Sequence, residues 1–219
     1  MVQTLEASKL SLNDVYRLLK IEKQYGGSFS ELLHLEHLTE FQYQEILRIR
    51  NDFKRYNNAG KISEGIIKFL ILAPLMRLTG FFDIPIKISI EDSIPVSIEC
   101  QDKIITGRKD ILAVNSANGE SESPLWILVI ETKNSAVDAL EGLPQLLTYA
   151  FKSLENQTSV WGLSTNGKSY RFIHLKRGNP ATYQVLPELN LIDEDRAIEL
   201  VKVFQAICQL QIIAQVEAA

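Results

Sequence analysis

The first sixty residues carry their apolar side chains at helical spacing rather than in strict alternation. Three segments show this pattern, and we expect a helix in each. They are Leu12 to Lys23, Phe29 to Leu38 and Thr39 to Tyr56. Glycines 26–27 and the run 57–60 (Asn-Asn-Ala-Gly) separate or end them. We therefore expect residues 1–60 to form a helical N-terminal extension and residues 61–219 to form the main domain.

A further helix is predicted from Ser63 to Thr79. Ser63 is a suitable N-cap, and Gly80 is suited to end the helix. The segment is apolar on nearly every side, so we expect it to be buried. Pro74 is expected to kink it, because proline lacks the N–H that an interior helical position needs.

The rest of the chain alternates between strand-like and helix-like patterns. This order predicts an α/β (α+β) fold in which helices flank a mixed central sheet. Strands are expected at Ile84 to Glu99 (interrupted by Pro95), Lys103 to Val114, Leu125 to Lys133, Ser159 to Ser164, Tyr170 to Leu175 and, as an edge, Tyr183 to Leu186. Helices are expected at Asp138 to Leu154 and Asp193 to Gln215.

A polar stretch from Ser116 to Pro124 contains Asn-Gly and lacks an apolar period, which is typical of a hairpin loop. Asp110 and Glu131 are equally distant from its centre. In an antiparallel hairpin they would face each other and project from the same face. Lys133 shares that face with Glu131, because side chains alternate along a strand. A slip of one residue would move Asp110 to the other face.

These charged residues lie on strands that are otherwise apolar, where charges are rare unless they are paired or bound to a metal. Two carboxylates and an ammonium in one cluster can bind a divalent metal and prepare a water for attack on a phosphodiester. The alternatives are a buried salt bridge among Asp110, Glu131 and Lys133, or a strand end that emerges into solvent.

Composition narrows the setting. The apolar fraction of 46% supports a core, and no run approaches the roughly 18 apolar residues of a membrane span. The N-terminus lacks the charged and apolar regions of a signal peptide. Cys100 and Cys208 lie in apolar settings, which favours core thiols over a disulfide. Free thiols in turn favour a cytoplasmic location. The histidines and cysteines show no zinc spacing.

A net charge of −4 argues against a strongly basic nucleic-acid binder, but the charges are unevenly distributed. Residues 41–70 and 152–177 are rich in Lys and Arg, whereas acids dominate residues 91–131. Basic flanks around an acidic centre would suit a metal site between phosphate-binding surfaces. Lys152, Lys168 and Arg171 are therefore candidates for nucleic-acid contacts; the alternative for each is an ordinary solvated side chain.

Residues 62–175 resemble the PD-(D/E)XK nuclease superfamily. Asp110 matches the motif aspartate, and Glu131-Thr132-Lys133 matches the E-x-K. Gln145 and Tyr149 match the Q-x-x-x-Y motif that the RecB-like branch and the nuclease domain of type I restriction motor subunits carry after E-x-K. One departure is Lys109, which precedes the aspartate where proline often stands.

The resemblance implies a restriction-endonuclease-like core and a Mg²⁺ site, with Mn²⁺ as a substitute. Asp110 and Glu131 would hold the ion, helped by the Thr132 carbonyl and by Glu64. Lys133 would orient the attacking water or stabilise developing charge. Gln145 and Tyr149, four apart on one helix face, would support Lys133.

Two of these assignments have structural alternatives. Glu64 is spaced for a surface ion pair with Lys68. Gln145 and Tyr149 could instead be an exposed glutamine and a core tyrosine.

The implied activity is that of a metal-dependent nuclease, an endonuclease that hydrolyses DNA. The alternative is a non-catalytic nucleic-acid-binding or assembly module that retains a nuclease fold. The chain has no phosphate-binding G-x-x-x-x-G-K-[ST] loop, so translocation would need a separate motor partner. A specificity partner and a homodimer stay open, and the sequence does not separate DNA from RNA.

Overall fold

A computed structural model describes residues 3–98, 103–116 and 124–216. Cys100 and most of the predicted loop from Ser116 to Pro124 lie outside these ranges. The described chain is mixed α/β, with helices on both sides of a central mixed sheet, as the sequence predicts. No helix within the described ranges is both long and apolar enough to cross a membrane.

The strands form a large sheet and a small one. They are β1 Gln3–Glu6, β2 Ile21–Gln24, β3 Ile86–Ile90, β4 Ser93–Ile98, β5 Lys103–Arg108, β6 Ile111–Asn115, β7 Leu125–Thr132, β8 Ser159–Thr165, β9 Ser169–Lys176, β10 Ala181–Val185 and β11 Leu189–Asn190. Within the described residues, the large sheet has the order β2-β10-β9-β8-β7-β6-β3 and the small one β1-β5-β4. Strands β7 and β8 run parallel, with a helical crossover between them.

The helices are α1 Leu12–Leu19, α2 Phe29–Leu32, α3 Glu40–Asn58, α4 Glu64–Ile67, α5 Ala73–Leu78, α6 Leu143–Ser153 and α7 Glu194–Val216. Ser63 caps α4 as predicted, since its hydroxyl accepts from the Ile66 amide. A π-helical turn, Lys68–Leu72, joins α4 to α5, and Pro74 follows it in the first turn of α5. The helix is therefore irregular just before Pro74, and the kink expected at Pro74 itself stays a prediction.

The prediction that this whole helical segment is buried is wrong for part of its surface. Ile67, Ile71 and Leu72 are buried, but Phe69 is 73% exposed and Ile66 is also exposed. Consecutive residues of a helix point in different directions, so the apolar side chains of this segment cannot all face the core.

Two apolar cores lie on opposite faces of the large sheet. Alternate residues of β7 divide between them, with Ile130 in one and Val129 in the other. Helices α3, α5 and α7 contribute to the core around Ile130, and α1 and α6 contribute to the core around Val129. Glu131 follows Ile130, so it is directed to the α6 side of the sheet.

The helical expectation for residues 1–60 is wrong in three places. The helix expected from Phe29 to Leu38 ends at Leu32, and two strands lie where helix was expected. Strand β1 pairs in parallel with β5, and β2 pairs in parallel with β10. The second pairing also makes β10 an inner strand rather than the predicted edge. Residues before and after position 60 share both cores, and the division of the chain there stays a prediction.

Candidate functional site

The predicted hairpin register is present at the Asp110 end of the β6–β7 pairing; nearer the loop, a bulge between Ala113 and Val114 shifts it by one residue. Ile111 pairs with Ile130 and Leu112 with Val129, and the same register continued by one residue sets Asp110 opposite Glu131. The expected single strand from Lys103 to Val114 is wrong, because the chain leaves the small sheet after β5 and enters the large one at β6. Asp110 lies at this crossing, directly before β6.

Asp110 is held by groups from two other elements. Its Oδ2 accepts hydrogen bonds from the backbone N–H and the hydroxyl of Thr132, each at 2.6 Å. Its Oδ1 accepts from Lys68 Nζ, also at 2.6 Å. Because Asp110 is not within a strand, its side chain is free to turn toward Thr132 and Lys68 instead of toward Lys133.

Glu131 is nearly fully buried, with 3% of its surface exposed. Its Oε1 accepts a hydrogen bond from Lys133 Nζ at 2.9 Å, while its Oε2 is buried with no hydrogen-bond partner among the described residues. Burial raises the pKa of Glu131 to about 7, and repulsion from the Asp110 carboxylate adds to this shift against the opposing charge of Lys133. The Asp110 carboxylate is therefore part of the electrostatic surroundings of Glu131.

Lys133 connects the strand to helix α6. Its Nζ donates to Gln145 Oε1 at 2.9 Å as well as to Glu131. Gln145 Nε2 in turn donates to the hydroxyl of Tyr149 at 3.3 Å. A continuous hydrogen-bonded chain thus runs from Glu131 through Lys133 and Gln145 to Tyr149, and burial raises the pKa of that tyrosine.

Two glycines allow this close packing. A Cβ atom on Gly142 would lie 2.9 Å from Glu131 Cγ and would also collide with the Ser164 hydroxyl. A Cβ atom on Gly107 would overlap the hydroxyl of Tyr149. Glycine at these positions lets the turn before α6 approach Glu131 and lets strand β5 approach Tyr149.

The structure tests the two ion-pair alternatives that the sequence left open, and its described residues form neither of them in the expected way. Asp110, Glu131 and Lys133 do not form one salt bridge; they divide into the pairs Lys68–Asp110 and Lys133–Glu131. The proposed surface pair of Glu64 with Lys68 is absent from the described residues, because Lys68 bonds to Asp110 instead. Glu64 is half-buried, and its charge contributes to the raised pKa of Glu131.

Lys68 is the residue that the sequence reasoning assigned to no site role. Burial disfavours its charged form, but hydrogen bonds and charge from Asp110 and Glu91 raise its pKa on balance. One signal could have revealed it: position 68 is one helical turn after Glu64, so both were predicted to share a face.

The predicted nucleic-acid residues are spread around the sheet. Lys152 pairs with Glu155 and Arg171 pairs with Glu188, at 2.6 and 2.8 Å. Lys168 is exposed in the turn between β8 and β9. That turn follows Thr165, whose carbonyl accepts from the Lys133 amide, so Lys168 is at the same end of the sheet as the site. Among the described residues, no hydrogen bond or ion pair joins these three side chains to one another.

A cavity of about 590 Å³ opens beside the site, between the small sheet and α6. Gln145 and Tyr149 form part of its wall, together with Thr106 and Arg108. Its volume falls in the range of small-molecule sites, and one side is continuous with the hydrogen-bonded chain from Lys133.

The site has features that fit a divalent cation. The unpartnered Glu131 Oε2 is a buried oxygen that an ion could satisfy, and a cation would offset the repulsion between Glu131 and Asp110. No group of three or more His, Cys, Asp or Glu side chains in the described ranges is arranged to hold a metal. A site here would therefore combine two carboxylates with a carbonyl and waters, as Mg²⁺ commonly does.

Comparison with known proteins assigns no family. No family model matches the chain, and no curated protein matches it significantly.

Proposed function

We propose that this chain is a metal-dependent nuclease that hydrolyses DNA phosphodiester bonds, with a restriction-endonuclease-like core of the PD-(D/E)XK type. The observation that carries the proposal is the hydrogen-bonded chain from Glu131 through Lys133 and Gln145 to Tyr149, with Asp110 opposite Glu131. Core packing alone would not require four polar side chains in series between the end of β7 and helix α6.

Each residue of the site has a separate task under this proposal. Asp110, Glu131 and the Thr132 carbonyl would hold Mg²⁺ or Mn²⁺, and Glu64 would act through water. The bound ion would lower the pKa of a water and offset negative charge on the phosphate. Lys133 would present its ammonium to a single phosphate oxygen or to the attacking water. Gln145 fixes Lys133, and Tyr149 fixes Gln145, so the ammonium keeps one position.

The surroundings suit a polyanionic substrate. The cavity beside Gln145 and Tyr149 is large enough for a nucleotide, and Arg108 on its wall has a side chain that is 65% exposed. Lys168 lies in a turn at the same end of the sheet and would meet the backbone of a longer strand. Lys152 and Arg171 are proposed as more distant contacts. Endonuclease action, a cytoplasmic setting, a homodimer and a separate motor or specificity partner belong to the same proposal.

A second function has one observation in its favour. Both carboxylates of the site already have lysine partners, Lys68 for Asp110 and Lys133 for Glu131. A non-catalytic nucleic-acid-binding or assembly module that keeps a nuclease fold would also be satisfied by these pairs. It would not explain the partnerless oxygen of Glu131 or its raised pKa.

Cleavage assays test the proposal. Purified wild-type chain would be incubated with supercoiled plasmid, linear duplex and RNA in Mg²⁺ or Mn²⁺, beside Lys133→Ala and Glu131→Gln. Lys87→Ala serves as a matched control, since Lys87 is an exposed lysine on β3. We expect metal-dependent DNA cleavage by wild type and the control only. Cleavage that does not exceed the Lys133→Ala background would contradict the nuclease and favour the binding module.

A further inference from the structure

Lys68 bridges two acidic residues of different exposure. Its Nζ lies 2.6 Å from Asp110 Oδ1 and 3.4 Å from Glu91 Oε1. The Asp110 side chain is 16% exposed, whereas that of Glu91 is 55% exposed. The ammonium therefore has a partly buried acceptor and a more solvated acceptor within reach of one another.

We propose that Lys68 is a movable counter-cation that occupies Asp110 in the metal-free site and transfers to Glu91 when a divalent ion binds. It would thereby set the metal affinity of the site. This inference rests on the proposed function, because it needs Asp110 to be a metal ligand.

Electrostatics makes the two cations competitors. An ammonium at hydrogen-bond distance from Asp110 Oδ1 would stand only a few ångströms from an ion bound to the same carboxylate, where like charges in a partly buried site repel strongly. A lysine side chain has four flexible methylenes and three equivalent donors, so its ammonium can move while its helix stays in place. Asp110 would keep its two hydrogen bonds from Thr132 after Lys68 leaves.

Glu91 is held in place to receive the ammonium. Its backbone N–H donates to the Asp110 carbonyl at 3.0 Å, and its φ of 56° lies in the left-handed region that non-glycine residues rarely adopt. Arg108 lies 3.7 Å from Glu91 Oε2 and uses the other oxygen. Glu91 Oε1 is thus left facing Lys68.

Calorimetric titration of the 219-residue chain with Mn²⁺ tests the inference without any cleavage step. We expect Lys68→Gln to bind Mn²⁺ roughly tenfold more tightly than wild type, because the competing charge is gone. Glu91→Gln is expected to bind several-fold more weakly, because the displaced ammonium loses its second acceptor. Lys68→Arg, which keeps the charge, and the remote control Lys87→Gln should stay within about twofold of wild type.

The outcomes separate this inference from the proposed function. If Asp110→Asn abolishes binding but Lys68→Gln leaves affinity unchanged or weaker, Lys68 is not a competitor and the inference is overturned while the metal site stands. Unchanged or tighter binding by Glu91→Gln contradicts the transfer step. If wild type takes up no Mn²⁺, the proposed function itself fails. Thermal unfolding confirms that each variant is folded, and Lys68→Met replaces Lys68→Gln if the latter does not fold.

Discussion

Lys133 forms a hydrogen bond with only one of the two carboxylate oxygens of Glu131. Lys133 Nζ binds Oε1 at 2.9 Å, and Oε2 stays buried without a hydrogen-bond partner among the described residues. Leaving a buried carboxylate oxygen unsatisfied costs free energy, so a site selected only for stability would not be expected to keep it. An unsatisfied acceptor of this kind is typical of a position that awaits a ligand.

The free-energy cost of burying the Glu131 carboxylate should appear in the pH dependence of stability. The pKa of Glu131 is about 7 in the folded chain against an ordinary value of 4.5, so the folded state holds this proton more tightly than the unfolded state. Its contribution to stability is complete below about pH 4.5 and is lost as pH rises through 7. In EDTA, wild type should lose on the order of 3 kcal/mol across this window relative to Glu131→Gln.

Urea unfolding of both proteins at several pH values measures the difference. Glu141→Gln, which removes an exposed acid before α6, is the matched control. A difference between wild type and Glu131→Gln that stays constant from pH 4.5 to 8 would contradict the burial argument.

Removing Lys133 should deprive the Glu131 carboxylate of its hydrogen-bond partner. Lys133→Met leaves neither carboxylate oxygen of Glu131 with a partner among the described residues, and deleting one member of a buried pair costs about 3–5 kcal/mol. The loss in denaturant unfolding should be greater at pH 8 than at pH 5, because the glutamate is ionised at the higher pH. The double variant Lys133→Met/Glu131→Gln should recover most of the stability but none of the cleavage. Cleavage that returned together with stability would contradict the proposed roles of both Lys133 and Glu131 in cleavage.

Gly142→Ala tests the packing around the site. The added methyl would press on Glu131 Cγ and the Ser164 hydroxyl, so we expect a loss of about 1–3 kcal/mol in unfolding free energy and a large loss of cleavage. Gly65→Ala is the control, since a Cβ atom there meets nothing within 4 Å and alanine favours the helix by up to about 1 kcal/mol. Equal effects of both substitutions would contradict the close approach at Gly142.

Tyr149→Phe separates positioning from folding. The change removes only the hydroxyl that accepts from Gln145, so stability should fall by no more than about 1 kcal/mol. Cleavage should fall about 10- to 100-fold, because a support for Lys133 is lost. Tyr56→Phe, at a partly exposed tyrosine of α3, should change neither quantity. An unaffected rate in Tyr149→Phe would remove the tyrosine from the positioning chain.

The register between Asp110 and Glu131 was accessible from sequence because it depends on local symmetry. The polar loop marks the hairpin and the apolar flanks indicate which segments pair, although a bulge between Ala113 and Val114 shifts the register between the loop and the site. The Gln145–Tyr149 contact was accessible for a similar reason, since a spacing of four residues on a helix determines a shared face.

The contacts that sequence reasoning missed all depend on distant packing. Lys68 bonds to Asp110, which is 42 positions later in the sequence. Helical spacing places Lys68 on the same face as Glu64, but it does not show which distant residue that face meets. Strands β1 and β2 are four residues long, and the latter reads Ile-Glu-Lys-Gln, which alone favours no strand. Each forms because a parallel partner, β5 or β10, supplies its hydrogen bonds.

A crystal structure with Mn²⁺, using anomalous scattering to locate the ion, tests the central claim most directly. The account predicts a peak about 2.0–2.2 Å from a carboxylate oxygen of both Asp110 and Glu131, with Lys68 displaced from Asp110. Crystals grown in millimolar Mn²⁺ that show no peak there, with both lysines still on their carboxylates, would contradict it.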